Sequence, residues 1–297
     1  MTSCTFLPSD IRTVVGQALT VDTGNDLRSG DITAHLIPKD TQSTAEVVSR
    51  ESATLCGTAW FDEVFQQLDA ASKENTRIEW HVNDGDFIKP DQMLCSISGN
   101  SRTLLTGERT ALNFLQTLSG TATQTRQYVD AITRINTTIN TRILDTRKTL
   151  PGLRSAQKYA VICGGGRNHR MGLFDAYLIK ENHILAAGSI AAAVAQAHMN
   201  NPDAMVEVEV ENLDELRQAL QAGANQILLD NMSLPKLREA VAFTQGRATL
   251  EASGGVNLDT IRDIAKTGVD FISVGNLSKH VQAVDLSMRF IAAPPAL

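Results

Sequence analysis

Between Arg142 and Lys180 the sequence sets eight Lys or Arg (142, 147, 148, 154, 158, 167, 170, 180) against two acids, Asp145 and Asp175. The local charge is +6 in a chain whose formal net charge is -6. Such a concentration calls for an anionic ligand, or for acids supplied from elsewhere in the fold. Thr146, Arg147 and Lys148 follow the short apolar run Ile143-Leu144, and His169-Arg170 follows Gly164-Gly165-Gly166. A histidine flanked by Arg167 and Arg170 behind three glycines reads as a second anion-binding group. Lys180 closes the apolar run Tyr177-Leu178-Ile179, an odd end for a core strand. It either meets a ligand or pairs with Glu209 or Asp230.

Acids come later in the chain. Glu209 ends one apolar run and Asp230 the next. Two carboxylates at neighbouring strand ends suit Mg²⁺, a hard cation that takes one or two protein acids and fills its shell with ligand oxygens. An internal ion pair with the nearby cations is the alternative. Glu207 alternates with Glu209, so both face one side of the strand while Val206 and Val208 face the other. A buried acid needs a partner, and Lys180 or Lys148 would serve. Ser253-Gly254-Gly255 and Gly275-Asn276 end the last two runs. Their small residues let backbone N–H groups approach a phosphate closely.

The elements that must position these groups follow from the hydrophobic rhythm. Short apolar runs at 143–144, 176–179, 205–208, 226–229, 249–252 and 271–274 alternate with helical patterns such as Leu213–Ala222 and Leu258–Thr267. Strand, helix, strand in series means parallel pairing through right-handed crossovers. Polar strand ends then gather at one mouth. Six runs in about 140 residues fall short of the roughly 250 that an eight-stranded barrel uses. The spacing predicts an incomplete parallel α/β barrel of six or seven strands over 118–280.

The first part, 1–117, reads as an α+β domain of antiparallel strands and helices. A helix is expected over Ile11–Val21 and strands at Ser43–Ser49, Arg77–Val82 and Met93–Ile97. Trp60, Val64, Phe65 and Leu68 mark a helical stripe, and Asn83-Asp84-Gly85-Asp86 a turn. Thr106–Leu118 should be helical with Arg109 off its leucine stripe. Gly120 should punctuate it, before a second helix over Ala122–Ile135. Val284–Ile291 is expected to return to the first domain, so that 281–297 joins it.

Composition sets outer bounds. With 297 residues and 42% hydrophobic content the chain can bury one large or two modest cores. A pI near 5.5 speaks against general nucleic-acid binding. No apolar run is long enough to span a bilayer, and the N-terminus shows no secretory signal. Four scattered cysteines, without C-x-x-C spacing, read as reduced thiols of a cytoplasmic protein.

In their order along the chain these pieces resemble quinolinate phosphoribosyltransferase. They include Gly30-Asp31-Ile32-Thr33, Gly107-Glu108-Arg109-Thr110, Asp145-Thr146-Arg147-Lys148-Thr149, His169-Arg170, Lys180-Glu181-Asn182-His183, Leu229-Asp230-Asn231 and Glu251-Ala252-Ser253-Gly254-Gly255. One departure is Asn276 in Gly275-Asn276-Leu277-Ser278, where the family often has Ala. The resemblance implies an N-terminal α/β sandwich and an open α/β barrel, assembled as a homodimer that joins quinolinate to 5-phosphoribosyl 1-pyrophosphate with Mg²⁺, releasing pyrophosphate and CO₂ and leaving nicotinate mononucleotide for NAD synthesis. It implies that Thr146, Arg147, Lys148, His169 and Arg170, with Arg109 of the neighbouring subunit, hold quinolinate. It gives Glu209 and Asp230 the ribose and the metal, and Ser253, Gly254, Gly255, Gly275 and Asn276 the 5-phosphate. Lys180 would meet pyrophosphate or the departing carboxylate, and Lys148, Lys180, Glu209 and Asp230 would carry the catalysis.

Overall fold

The computed structural model describes residues 7–133 and 140–291. The chain divides into two compact units. One holds residues up to Gln124, then Leu150–Gly165 and the segment from His280 onward; the other holds Thr125–Thr149 and Gly166–Lys279. Residues 150–165 therefore belong with the first unit, not with the barrel range 118–280 in which the sequence reading set them. The cause is the apolar face of the helix Arg154–Cys163, whose Ala156, Tyr159 and Ala160 join the first unit's core.

The first unit is built on strands β1 (Gln42–Ser49), β2 (Ala53–Thr54), β3 (Arg77–Trp80), β4 (Phe87–Ile88) and β5 (Met93–Asn100). The barrel strands follow as β6 (Arg142–Leu144), β7 (Tyr177–Ile179), β8 (Val206–Val210), β9 (Gln226–Asp230), β10 (Thr249–Ser253) and β11 (Phe271–Ser273), and β12 (Leu286–Ile291) is last. In the first unit the sheet order is β12-β1-β5-β3, with β2 paired to β4. β12 lies antiparallel to β1. Trp60, Phe61, Val64, Phe65 and Leu68 of the helix Thr58–Ser72 are buried in its core. Asp84 accepts from the N–H groups of Gly57 and Thr58 (3.0 and 3.2 Å), which satisfies the free donors that start this helix.

Gly120 does not punctuate. One helix runs from Ser101 to Thr133 straight through it. The glycine is there for close approach: a Cβ would lie 2.1 Å from the carbonyl oxygen of Gln282. A helical glycine costs only about 1 kcal/mol relative to alanine, so packing decides its place. The expected end at Ile135 falls outside the described residues, as does Cys4.

In the second unit the six strands form one parallel sheet, ordered β6-β11-β10-β9-β8-β7. The first two strands of this unit, β6 and β7, stand at its two edges. Helices Ile190–Asn200, Leu213–Gln221 and Leu234–Thr244 intervene. The helix expected over Leu258–Thr267 is shorter, Ile261–Ala265. Asn257 explains this: its side chain accepts from the N–H groups of Asp259 and Thr260 (3.0 Å each), a turn that competes with an earlier helical start. Asp175, ambiguous in the sequence, lies outside the strand and accepts from the N–H groups of Met171 and Gly172 (2.5 and 3.2 Å).

Candidate active site

The strand ends of the second unit open into a cavity of about 790 Å³. Its lining holds every predicted site residue except Arg109: Thr146, Arg147, Lys148, His169, Arg170, Lys180, Glu209, Asp230, Ser253, Gly254, Gly255, Gly275 and Asn276. Arg109 stands exposed on the helix Ser101–Thr133 of the first unit.

The cations of the 142–180 stretch do not all serve this cavity. Arg154 and Lys158 lie on the helix of the first unit, where Lys158 is buried. Arg147, Lys148, Arg170 and Lys180 remain at the mouth. Lys148 is anchored through its backbone, whose carbonyl accepts from Ser278 Oγ (3.0 Å). Its side chain lies beside Gly275, where a Cβ would stand 3.3 Å from Lys148 Cδ. Arg147 Nε is buried without a hydrogen-bond partner. Arg170 donates to the carbonyl of Ala176 (3.1 Å). Burial, and then the charge of Arg147, lower its pKa from the ordinary arginine value. Two guanidinium groups pressed together this way gain most from an anion between them.

Lys180 pairs with Glu209 Oε2, the ion pair weighed from the sequence. Asp230 Oδ2 accepts from Asn231 Nδ2 (2.8 Å). Glu209 and Asp230 end adjacent strands and line the same cavity, and neither belongs to a cluster of three close metal-ligating side chains among the described residues. Two acids without a closed cage fit Mg²⁺, which keeps most of its shell for water and ligand oxygens.

The glycine loop after β10 is demanding. Gly254 has φ +96, and a Cβ there would lie 2.0 Å from Asn231 Oδ1. Asn231 in turn takes a left-handed φ of 51 and donates its N–H to the Ser253 carbonyl (2.9 Å). The ends of β9 and β10 are thus fastened to each other beside Asp230.

His169 departs most from the sequence reading. It is no free cation facing a ligand. Asp145, fully buried, accepts from His169 N (2.9 Å) and Asn168 Nδ2 (2.6 Å). His169 Nδ1 accepts from Arg170 N (2.7 Å). Nε2 turns inward, 2.9 Å from Glu207 Oε2 and 3.6 Å from Glu251 Oε2. Glu207 therefore meets His169 and Gln226 (3.0 Å), not the lysines expected as its partners. Those lysines project from strand ends, while Glu207 sits one interior position deeper than Glu209.

Glu251 was missed as a site group. Strand parity carried the signal, because Glu251 alternates with Ser253 and so shares its interior face. It accepts from Gln226 Nε2 (2.8 Å) and hydrogen-bonds Ser273 Oγ. Burial, then the neighbouring Glu207, push it up to about 8.

Comparisons with known proteins agree with this geometry. Residues 31–119 match the N-terminal domain of quinolinate phosphoribosyl transferase, and residues 121–289 its C-terminal domain. The chain is similar to the structure of the nicotinate-nucleotide pyrophosphorylase from Francisella tularensis, with 46% identity, TM-score 0.90, and coverage of 98% of this chain and 100% of that one. The corresponding structure from Ehrlichia chaffeensis is 35% identical with TM-score 0.86, covering 94% of this chain and 98% of that one. Among curated relatives, the mitochondrial quinolinate phosphoribosyltransferase [decarboxylating] 2b of Nicotiana tabacum is 38% identical over 300 residues, covering 94% of this chain and 82% of its own. With both halves matched in order, and relatives aligned along nearly the whole length, this chain belongs to the quinolinate phosphoribosyltransferase family.

Proposed function

We propose that the protein transfers the phosphoribosyl group of 5-phosphoribosyl 1-pyrophosphate to the ring nitrogen of quinolinate, with loss of CO₂, giving nicotinate mononucleotide and pyrophosphate for NAD synthesis. The observation that carries this reading is the gathering of two kinds of group in one cavity. Arg147, Lys148 and Arg170 come to it from the chain between β6 and β7, and Asp230, Ser253, Gly254, Gly255 and Gly275 from the ends of β9 to β11 and the loops that follow them. A dicarboxylate fits the first group and a phosphorylated sugar the second. At an effective dielectric near 20 a close charge pair is worth roughly 4 kcal/mol before desolvation. Several cations can therefore hold a dianion with a surplus.

Chemistry follows from placement. As pyrophosphate leaves, positive charge builds on the ribose carbon, and the carboxylates of Glu209 and Asp230 stabilise it. Mg²⁺, held by these two acids together with substrate oxygens, would neutralise the leaving group. Lys180, beside Glu209, contacts the departing anion. Thr146 and the arginines fix the pyridine so that its nitrogen faces the ribose. Backbone N–H groups at Ser253-Gly254-Gly255 and Gly275-Asn276 hold the 5-phosphate. Once its nitrogen is quaternised, the positive ring stabilises the electron pair left on the neighbouring carbon as the C–C bond breaks, so CO₂ departs and a proton from solvent takes its place on that carbon.

The same proposal includes a homodimer in which Arg109 of each chain completes its neighbour's pocket. Its support is the exposure of Arg109 on its own helix, together with apolar surface on the barrel unit, where Leu173, Phe174 and Leu185 are 73, 85 and 79% exposed. A cytoplasmic setting also belongs to it, supported by Cys56, Cys95 and Cys163, which stand in no disulfide among the described residues. The relative named above from Nicotiana tabacum is mitochondrial. No helix among the described residues is long and apolar enough to cross a membrane.

Release of labelled CO₂ from carboxyl-labelled quinolinate, dependent on 5-phosphoribosyl 1-pyrophosphate, is the expected result. Turnover of nicotinate in its place, or of neither, overturns the reading.

A further inference from the structure

Beneath the cavity a row of polar side chains crosses four adjacent strands. Glu207 stands on β8, Gln226 on β9, Glu251 on β10 and Ser273 on β11, and all are buried. Barrel interiors are ordinarily filled by branched apolar side chains. Two carboxylates in such a place are costly unless their hydrogen bonds are met. Here one amide meets both. Gln226 lies directly across from Glu207 in the ladder, and its Nε2 donates to Glu207 Oε1 (3.0 Å) and to Glu251 Oε2 (2.8 Å). Ser273 Oγ takes the other oxygen of Glu251.

What the row holds is the ring of His169. Nδ1 accepts from the N–H of Arg170, so the ring proton belongs on Nε2, which faces Glu207 and Glu251. The peptide joining His169 to Arg170 is thereby tied to the ring. Glu207 also acts on the Arg170 guanidinium directly, as the largest favourable charge beside it.

We propose that Glu207, Gln226, Glu251 and Ser273 form a positioning device that locks the His169 ring and sets the aim of Arg170. Gln226, buried below the cavity and absent from its lining, then determines affinity for the dicarboxylate. This inference rests on the assignment of the Arg147–Arg170 side of the cavity to quinolinate. It does not make Gln226 a catalytic residue, since its amide acts only through the two carboxylates and the imidazole. A buried polar network held by a bridging amide favours one geometry, and loss of the bridge releases it.

The test replaces the bridging amide by an apolar side chain of similar length, Gln226→Met, in the full-length enzyme. Its readouts are steady-state kinetics, calorimetric binding of 5-phosphoribosyl 1-pyrophosphate alone, and ¹⁵N-histidine NMR. We expect KM for quinolinate to rise about tenfold, as for loss of one buried charged hydrogen bond. Affinity for 5-phosphoribosyl 1-pyrophosphate should stay within about twofold, because its side of the cavity is built on other residues. The His169 ring should change from a single Nε2–H tautomer to an averaged signal. Equal losses for both substrates, or an unchanged KM for quinolinate, overturn the inference. Should Gln226→Met fail to fold, Ser273→Ala decides, showing the same split in smaller measure with recovery in Ser273→Thr; no split there overturns the inference equally. Failure of the functional reading itself is distinguishable, because the unaltered enzyme would then not consume quinolinate.

Discussion

Glu251→Gln should make the protein more stable as pH rises, relative to the unaltered chain. Glu251 is fully buried, and burial with Glu207 close by raises it from an ordinary 4.5 to about 8. Below about 4.5 its carboxyl is protonated in the folded and the unfolded chain alike. Between about 4.5 and 8 only the folded chain keeps the proton, so each pH unit upward costs the fold about 1.4 kcal/mol. Over the gap of 3.5 between 4.5 and about 8 the loss reaches about 5 kcal/mol, and above it no more is lost. Glutamine copies the shape and the hydrogen bonds of the neutral acid but cannot ionise, so its own contribution is flat. Calorimetric melting of both proteins between pH 5 and pH 9 makes the comparison. The variant should gain about 10 °C in relative Tm between pH 5 and pH 8. Two curves separated by a constant offset would mean that Glu251 is already ionised in the folded protein, and the burial argument would be refuted.

Lys148→Ala and Arg170→Ala should each weaken quinolinate binding by about 2 kcal/mol, roughly thirtyfold in Kd. Their effect on 5-phosphoribosyl 1-pyrophosphate should be far smaller; separate titrations showing equal losses would remove these residues from the dicarboxylate. Asp230→Asn should lower kcat by more than about tenfold, and the unaltered enzyme should lose activity to a chelator and regain it with Mg²⁺. A normal rate in the variant would take Asp230 out of the chemistry, and full activity in excess chelator would remove the metal. Arg109→Ala and Asp230→Ala should each be nearly inactive alone. Subunit exchange between them makes about half the dimers mixed, each with one intact site, so about one quarter of full activity should return. No recovery after complete exchange would mean that Arg109 serves its own chain.

Much of this was legible in the sequence because strand ends and parity are one-dimensional signals. Lys180, Glu209 and Asp230 each end a short apolar run, and parallel topology alone brings such ends to one mouth. Glu207 was rightly turned inward by its alternation with Val206 and Val208. What parity could not give was depth. The partner of Glu207 depends on which strand lies beside it and in what register, and Gln226, unremarked in the sequence, is the residue opposite. His169 looked like a cation among arginines because adjacent residues seemed to share a face. Its ring instead turns below the mouth, since Asp145 fixes the backbone on which it is carried. Gly120 misled for a similar reason. A glycine that ends a helix and one that admits a neighbouring carbonyl look alike until the fold supplies the carbonyl.

The sheet's two edges are β6 and β7, and the groups assigned to quinolinate come from the chain between them. In a closed barrel that connection would be a short turn and a covering helix, tied to ladder bonds on either side. Left unclosed, the connection keeps a tie to the sheet, a parallel bridge of Arg167 to Leu144, with Arg147 and Lys148 before it in the chain and His169 and Arg170 after. The groups proposed for the phosphoribosyl moiety stand instead on β8 to β11 and the loops that follow them. Under the proposed assignment, recognition of the acceptor and handling of the sugar belong to different stretches of chain. A changed segment between Leu144 and Tyr177 that kept this bridge would then present a different acceptor to the same donor machinery.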